Sequence, residues 1–101
     1  MSCPEHPLVV LSPKARQDFV DILRYTLANW GREQLAIYRD RIDSAIQRIY
    51  KNPQIGALRN DLNQPYRTLA VGVHVIVYRQ QSNRIRIVRI LHQRMDPANH
   101  H

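Results

Sequence analysis

Between residues 15 and 50 apolar side chains recur every three or four positions; after residue 66 they recur every second position. The change of period separates a helical half from a sheet half. Ahead of the helical half, Leu-Val-Val-Leu at 8–11 reads as a short buried strand. Ser12-Pro13 then supplies an N-cap hydroxyl followed by proline at the first helical position. Ala15, Phe19, Ile22, Leu23, Thr26, Leu27 and Trp30 form one amphipathic stripe, and Gly31 stands where a C-terminal cap would fall. Leu35, Tyr38, Ile42, Ala45, Ile46, Ile49 and Tyr50 form a second stripe, closed by Asn52-Pro53. The spacing predicts two helices of about five turns in an αα-hairpin.

Residues 53–64 read as a loop. Tyr66–Val71, Val73–Arg79 and Arg84–Leu91 are Val-, Ile- and Tyr-rich, with Gly72 and Gln81-Ser82-Asn83 as turns. Arg84, Arg86 and Arg89 interrupt the last strand, which predicts one partly exposed face. The order is β-α-α-β-β-β. It predicts one α+β domain over residues 1–101: an antiparallel sheet with an N-terminal helical hairpin on one face.

Tyr25, Leu27, Trp30 and Ile37 fall to the side of the stripes. Two arrangements stay open for them. They form an exposed patch for a partner's amphipathic helix, or they close the hairpin against the sheet.

Charge sharpens the picture. Fifteen Lys and Arg against eight Asp and Glu give +7, and the distribution is uneven. Residues 1–64 hold nine basic and seven acidic side chains; residues 65–101 hold Arg67, Arg79, Arg84, Arg86, Arg89 and Arg94 against Asp96 alone. An all-arginine excess suits carboxylate or phosphate. The C-terminal third is thus expected to meet something anionic, or else to be a solvated basic surface.

Several chemistries are disfavoured. Cys3 is the single cysteine, so neither an internal disulfide nor a multi-thiolate metal site can form. His6, His74 and His92 show no metal-ligand spacing, and His74 inside a strand reads as a satisfied sheet histidine. Ser12 and Ser44 belong to a helix cap and a helix body, so no triad is expected. Three glycines form no phosphate loop, and no cofactor is expected. No apolar run approaches the roughly 20 residues of a membrane span. The start lacks a secretory layout, which gives an expectation of a cytoplasmic protein. The residue types for acid–base RNA cleavage are present: Arg67, Arg79, Arg89 and Arg94 as cations, and His74, His92 or Tyr78 as proton carriers. Their spacing is uninformative. Phe19, Trp30, Tyr38 and Tyr50 lie on or near helical stripes, which leaves Tyr66 and Tyr78 in the sheet as stacking candidates.

Ile22-Leu23-Arg24-Tyr25-Thr26 with Trp30-Gly31 resembles the first helix of ParE toxins. Gly72-Val73-His74-Val75-Ile76-Val77-Tyr78 fits a strand of the same family. The ending Ile90-Leu91-His92-Gln93-Arg94-Met95-Asp96 resembles its closing Leu-His-x-Arg-Met-Asp. The resemblance runs from about residue 8 to 97. It implies a RelE/ParE-like fold and the toxin of a bacterial type II toxin–antitoxin module. It also implies a hetero-oligomer with a ParD-like antitoxin, which binds DNA itself and wraps the toxin with a C-terminal segment.

The ParE branch is associated with poisoning of DNA gyrase, the RelE branch with mRNA cleavage on the ribosome. Arg67 fills one basic RelE position, but Leu69 stands near the other. The next-strand Arg position falls near Val75 with His74 beside it. Arg94 matches the late Arg, and the late Tyr position falls near His100. This pattern favours ParE: a gyrase-directed binding inhibitor without a catalytic centre, with an mRNA interferase as the alternative. On that implication His92, Arg94, Met95 and Asp96 are the candidates for target contact. Tyr25 and Trp30, with Arg67, Arg79 and Arg89 as carboxylate anchors, are the candidates for antitoxin contact. No membrane contact and no sequence-specific DNA binding by this chain alone are expected.

Overall fold

A computed structural model describes residues 8–60 and 65–95. Strand β1 (Leu8–Leu11) leads into helix α1 (Pro13–Lys51), and β2 (Ala57–Arg59), β3 (Tyr66–Val71), β4 (His74–Gln81) and β5 (Arg84–His92) follow. A single 3-10 turn, Gln93–Met95, comes after β5.

The expected helix start is observed. Ser12 accepts a hydrogen bond from the Ala15 amide at 3.0 Å, with Pro13 in the first turn. Its hydroxyl also donates to the Val88 carbonyl at 2.7 Å, so the cap anchors the helix to β5. The helical run is continuous apart from Gly31, whose φ of 88° and ψ of 179° break it into arms at 13–30 and 32–51. That conformation is essentially restricted to glycine. The turn of the expected hairpin is therefore one residue long. Ala15 and Ile22 from the first arm and Tyr38, Ile42, Ala45 and Ile49 from the second enter one core. The second wall of that core is Val71, Ile76, Tyr78, Ile85, Ile87 and Ile90 of the sheet.

The sheet order is β1-β5-β4-β3-β2. Three pairings are antiparallel, while β1 runs parallel to β5 with Val9 opposite Ile85 and Leu11 opposite Ile87. The α+β class stands as expected, with two refinements. The sheet is mixed, because α1 carries the chain across to β2 at the far edge and the antiparallel steps from β2 to β5 return it alongside β1. Strand β2 lies inside the segment expected to be loop; three edge residues are too few to show a period. In the register of β4 with β5, Val77 faces Arg89 and Tyr78 faces Ile87, so Val88 is the extra residue of a bulge.

Candidate functional site: an aromatic groove at the helix break

The first arm of α1 ends beside the β3–β4 turn and the last residues of β5. Tyr25, Thr26, Trp30, Gln34, Tyr38, Val73 and His74 line a cavity of about 340 Å³ there. Asp21, Ile22, Tyr25, Trp30, Val73, His74 and His92 line an adjoining one of about 500 Å³. Shared walls make the two a single groove. Trp30 is 69% exposed and Tyr25 65%, with Leu27 and Val73 also exposed. Of the two arrangements left open for the off-stripe residues, the structure thus has the exposed patch.

The floor of the groove is polar and ordered. His74 and His92 are register partners on β4 and β5, with ring centroids 5.5 Å apart and edge-on. Tyr38 rises from the second helical arm, donates its hydroxyl hydrogen to the Val71 carbonyl at 3.1 Å and touches His74 Nδ1. A hydroxyl carries one hydrogen, so Tyr38 stands between the Val71 carbonyl and His74 Nδ1, and the direction of the second contact follows the His74 tautomer. His92 Nδ1 accepts the Arg94 amide hydrogen at 3.2 Å, which places its ring hydrogen on Nε2. The groove therefore offers two adjacent imidazoles under two exposed aromatic rings.

Electrostatics follow from burial. Burial lowers the His74 pKa from its ordinary 6.5, and a charged His92 would lower it further. Burial raises the Tyr38 pKa, opposed by the Val73 backbone N–H and by Arg41. Both groups are thus held neutral near pH 7. Gly72 makes the approach possible: at its φ of +57°, a Cβ would sit 2.9 Å from Tyr38 Cε1.

The residues expected to carry function divide among three places. Tyr25, Trp30 and His92 meet in the groove, so one antitoxin pair and one target candidate share a surface. Arg94 is exposed in the following turn, Met95 closes that turn, and Asp96 lies outside the described residues. The three arginine anchors do not converge. Arg67 donates to the Gly56 carbonyl at 2.9 Å and the Gln54 carbonyl at 3.3 Å, bracing the α1–β2 connection. Arg89 forks onto Asp18 through Nε at 2.8 Å and Nη2 at 3.0 Å, which raises its pKa. Arg79 sits on the opposite face of the sheet.

Of the proton carriers, Tyr78 is fully buried, accepting from the Gly56 amide and donating to the Pro53 carbonyl, both at 2.8 Å. Burial raises its pKa further. Sequence reasoning missed Tyr38 and Val73 as groove residues. Tyr38 sits on a stripe like any core residue, and only the β3–β4 turn above it turns its hydroxyl into part of a site.

The family model described as ParE toxin of type II toxin-antitoxin system, parDE, matches residues 9–97. The chain belongs to the ParE toxin family. Toxin ParE1 of Caulobacter vibrioides is 38% identical over 90 residues, covering 89% of this chain and 93% of that one. Toxin ParE1 of Mycobacterium tuberculosis is 38% identical over 88 residues, covering 86% and 90%. A solved structure described as the chromosomal ParDE TA system from P. aeruginosa superposes with a TM-score of 0.73 at 20% identity. It covers 85% of this chain and 95% of that one, and its likeness is one of fold. As a ParE-family toxin the chain is one half of a type II toxin–antitoxin module.

Proposed function

We propose that the chain arrests growth by binding DNA gyrase in the cytoplasm and trapping its cleaved DNA, and that a ParD-like antitoxin silences it by covering the aromatic groove. The observation that carries the antitoxin half is the exposure of Trp30 and Tyr25 around a floor ordered by Tyr38, His74 and His92. Large exposed rings beside a preorganised polar pair are the usual anchors of a protein interface. The P. aeruginosa relative is described as a ParDE system, which supports an antitoxin of that kind here. Binding inhibition, as opposed to RNA cleavage, is supported by the engagement of Tyr78 and Arg67 in bracing the chain after α1. Groups so engaged are poorly placed to move a proton or clamp a phosphate.

The test adds the purified chain to gyrase, relaxed plasmid and ATP. Lost supercoiling with protein-linked cut DNA, both abolished by the antitoxin of the adjacent reading frame, is the expected result. Untouched gyrase with growth still arrested overturns the target and directs the search to ribosome-bound messages.

A further inference from the structure

The five acidic residues in the described part of the chain, Asp18, Asp21, Glu33, Asp40 and Asp43, all lie on α1. The described strands carry none, against six arginines. Arg67 and Arg89 are bound internally, as above. The other four share the sheet face turned away from α1. Arg79 stands directly opposite Arg86, and Gln81 opposite Arg84. Arg59 stands opposite Tyr66, and one more step of the β3–β4 register sets Tyr66 opposite Arg79. Arg59, Tyr66, Arg79 and Arg86 therefore make one row across four strands, spanning about 14 Å at the usual strand spacing.

Like charges directly opposite on adjacent strands are unfavourable, and among the described residues none of the four arginines is ion-paired. Arg59 makes only a long contact to Thr68 Oγ1 at 3.4 Å. Arg79 Nε is buried and meets no acceptor among the described residues. The row thus presents uncompensated positive charge along one face of the sheet.

We propose that this arginine face binds the phosphate backbone of duplex DNA without regard to sequence. The proposal goes beyond the reading of the groove and does not depend on it. Clustered cations on one face of a strongly basic domain are the footprint of backbone binding. The character of the face selects the duplex over other polyanions. Tyr66 is 2% exposed, so the row offers no ring on which an unpaired base can stack. An acidic polypeptide needs apolar anchors to offset its ordering. Around Arg59 and Arg79 the same-face neighbours Tyr66, Val75 and Val77 are buried, and the exposed apolar side chains nearest the row are Leu8 and Val10 of β1 at one end and Leu58 of β2 at the other, none of them aromatic. The exposed aromatic anchors lie across the molecule, in the groove. Phosphates need only charge and forks, and bind by releasing counterions.

The test is fluorescence anisotropy of the purified full chain with a labelled 20-base-pair duplex of arbitrary sequence, over 50 to 200 mM salt. Three phosphate contacts predict a log–log salt slope of about −3 and an affinity loss of about 40-fold across that range. R79Q/R86Q should lower the slope by about two. R84Q/R86Q, at two exposed positions, should weaken binding too and covers the case in which the half-buried Arg79 is needed for folding. R24Q/R48Q removes the same charge from α1 and should leave the slope unchanged. Equal effects of all three pairs would show a diffuse charge and overturn the site. No binding at 50 mM salt, tighter binding of single-stranded RNA, or displacement of the duplex by a Glu-rich peptide of equal charge would each overturn it as well.

Discussion

Asp18 and Arg89, 71 positions apart, close on each other through both carboxylate oxygens, and the same Asp18 also accepts the Ile90 amide hydrogen at 3.0 Å. One helix carboxylate thus ties α1 to β5 just beyond the four residues that β1 pairs. The Asp18 side chain is 15% exposed and that of Arg89 37%, so water screens the ion pair and its direct worth is modest.

The amide is less forgiving. Asp18→Ala leaves the Ile90 N–H without its acceptor and should cost about 1–3 kcal/mol. Arg89→Ala removes only the fork and should cost less. Urea midpoints of the two variants and their double mutant check this ordering. Equal losses would mean that the amide contact adds nothing.

Trp30→Ala should behave in the opposite way. Its ring is mostly exposed, so thermal stability should stay within about 0.5 kcal/mol of the parent. Antitoxin affinity should fall by at least 2 kcal/mol, about 30-fold, if Trp30 is an interface anchor. Tyr25→Ala should follow with a smaller loss. Calorimetric titration against the antitoxin of the adjacent frame measures both. A variant that binds with parental affinity removes the groove from the interface.

What the sequence made legible bears on how these sites arose. Helix start, helix stripes and the last three strands follow from local pattern and turn chemistry, which act within a few residues. The tie between Asp18 and Arg89 depends on chain separation that no pattern encodes, and Asp18 reads in sequence as an ordinary solvated helix acid. Arg67, Arg79 and Arg89 were equivalent in composition and became three different things: a loop brace, a member of an unpaired row and a helix tie. Register decides this, because adjacent residues of a strand face opposite sides. Strand β2 was illegible for a related reason: three residues derive their identity from pairing with β3 alone.

Two glycines separate backbone strain from crowding. Gly31→Ala adds a Cβ with nothing within 4 Å, but at a φ of +88°. It should cost about 1–3 kcal/mol from strain alone. Gly72→Ala adds comparable strain and drives Tyr38 away from His74, so it should cost more and disturb the groove. Thermal melts rank the stabilities. The His74 imidazole proton resonances should shift in Gly72→Ala and not in Gly31→Ala; unshifted resonances in both would show that Tyr38 accommodates the extra methyl.

Tyr78→Phe tests whether that hydroxyl is structural. It removes the acceptor of the Gly56 amide and the donor to the Pro53 carbonyl, and should cost about 1–3 kcal/mol. Toxicity per folded molecule should not change at a temperature where the variant is folded. Abolished toxicity in a folded variant would restore Tyr78 as a proton carrier and reopen the nuclease reading.

His74 gives the fold a pH limb of known sign. Its pKa is lowered in the folded state by burial and by His92, while the unfolded chain titrates near the ordinary value of about 6.5. As pH falls through that value the unfolded chain takes up a proton that the folded chain refuses. Stability is therefore complete above about pH 6.5, declines below it with a slope of at most 1.4 kcal/mol per pH unit, and levels off beneath the folded pKa. The groups facing His74 are His92 across the sheet, Tyr38 from the second helical arm, and Asp21 on the far wall of the groove. Only Asp21 would favour a charged imidazole. In His74→Gln this limb should vanish, so the difference between the two urea titrations from pH 5 to 7.5 isolates it. Parallel curves would mean that His74 takes up its proton as readily in the folded chain as in the unfolded one. Burial would then not hold the ring neutral.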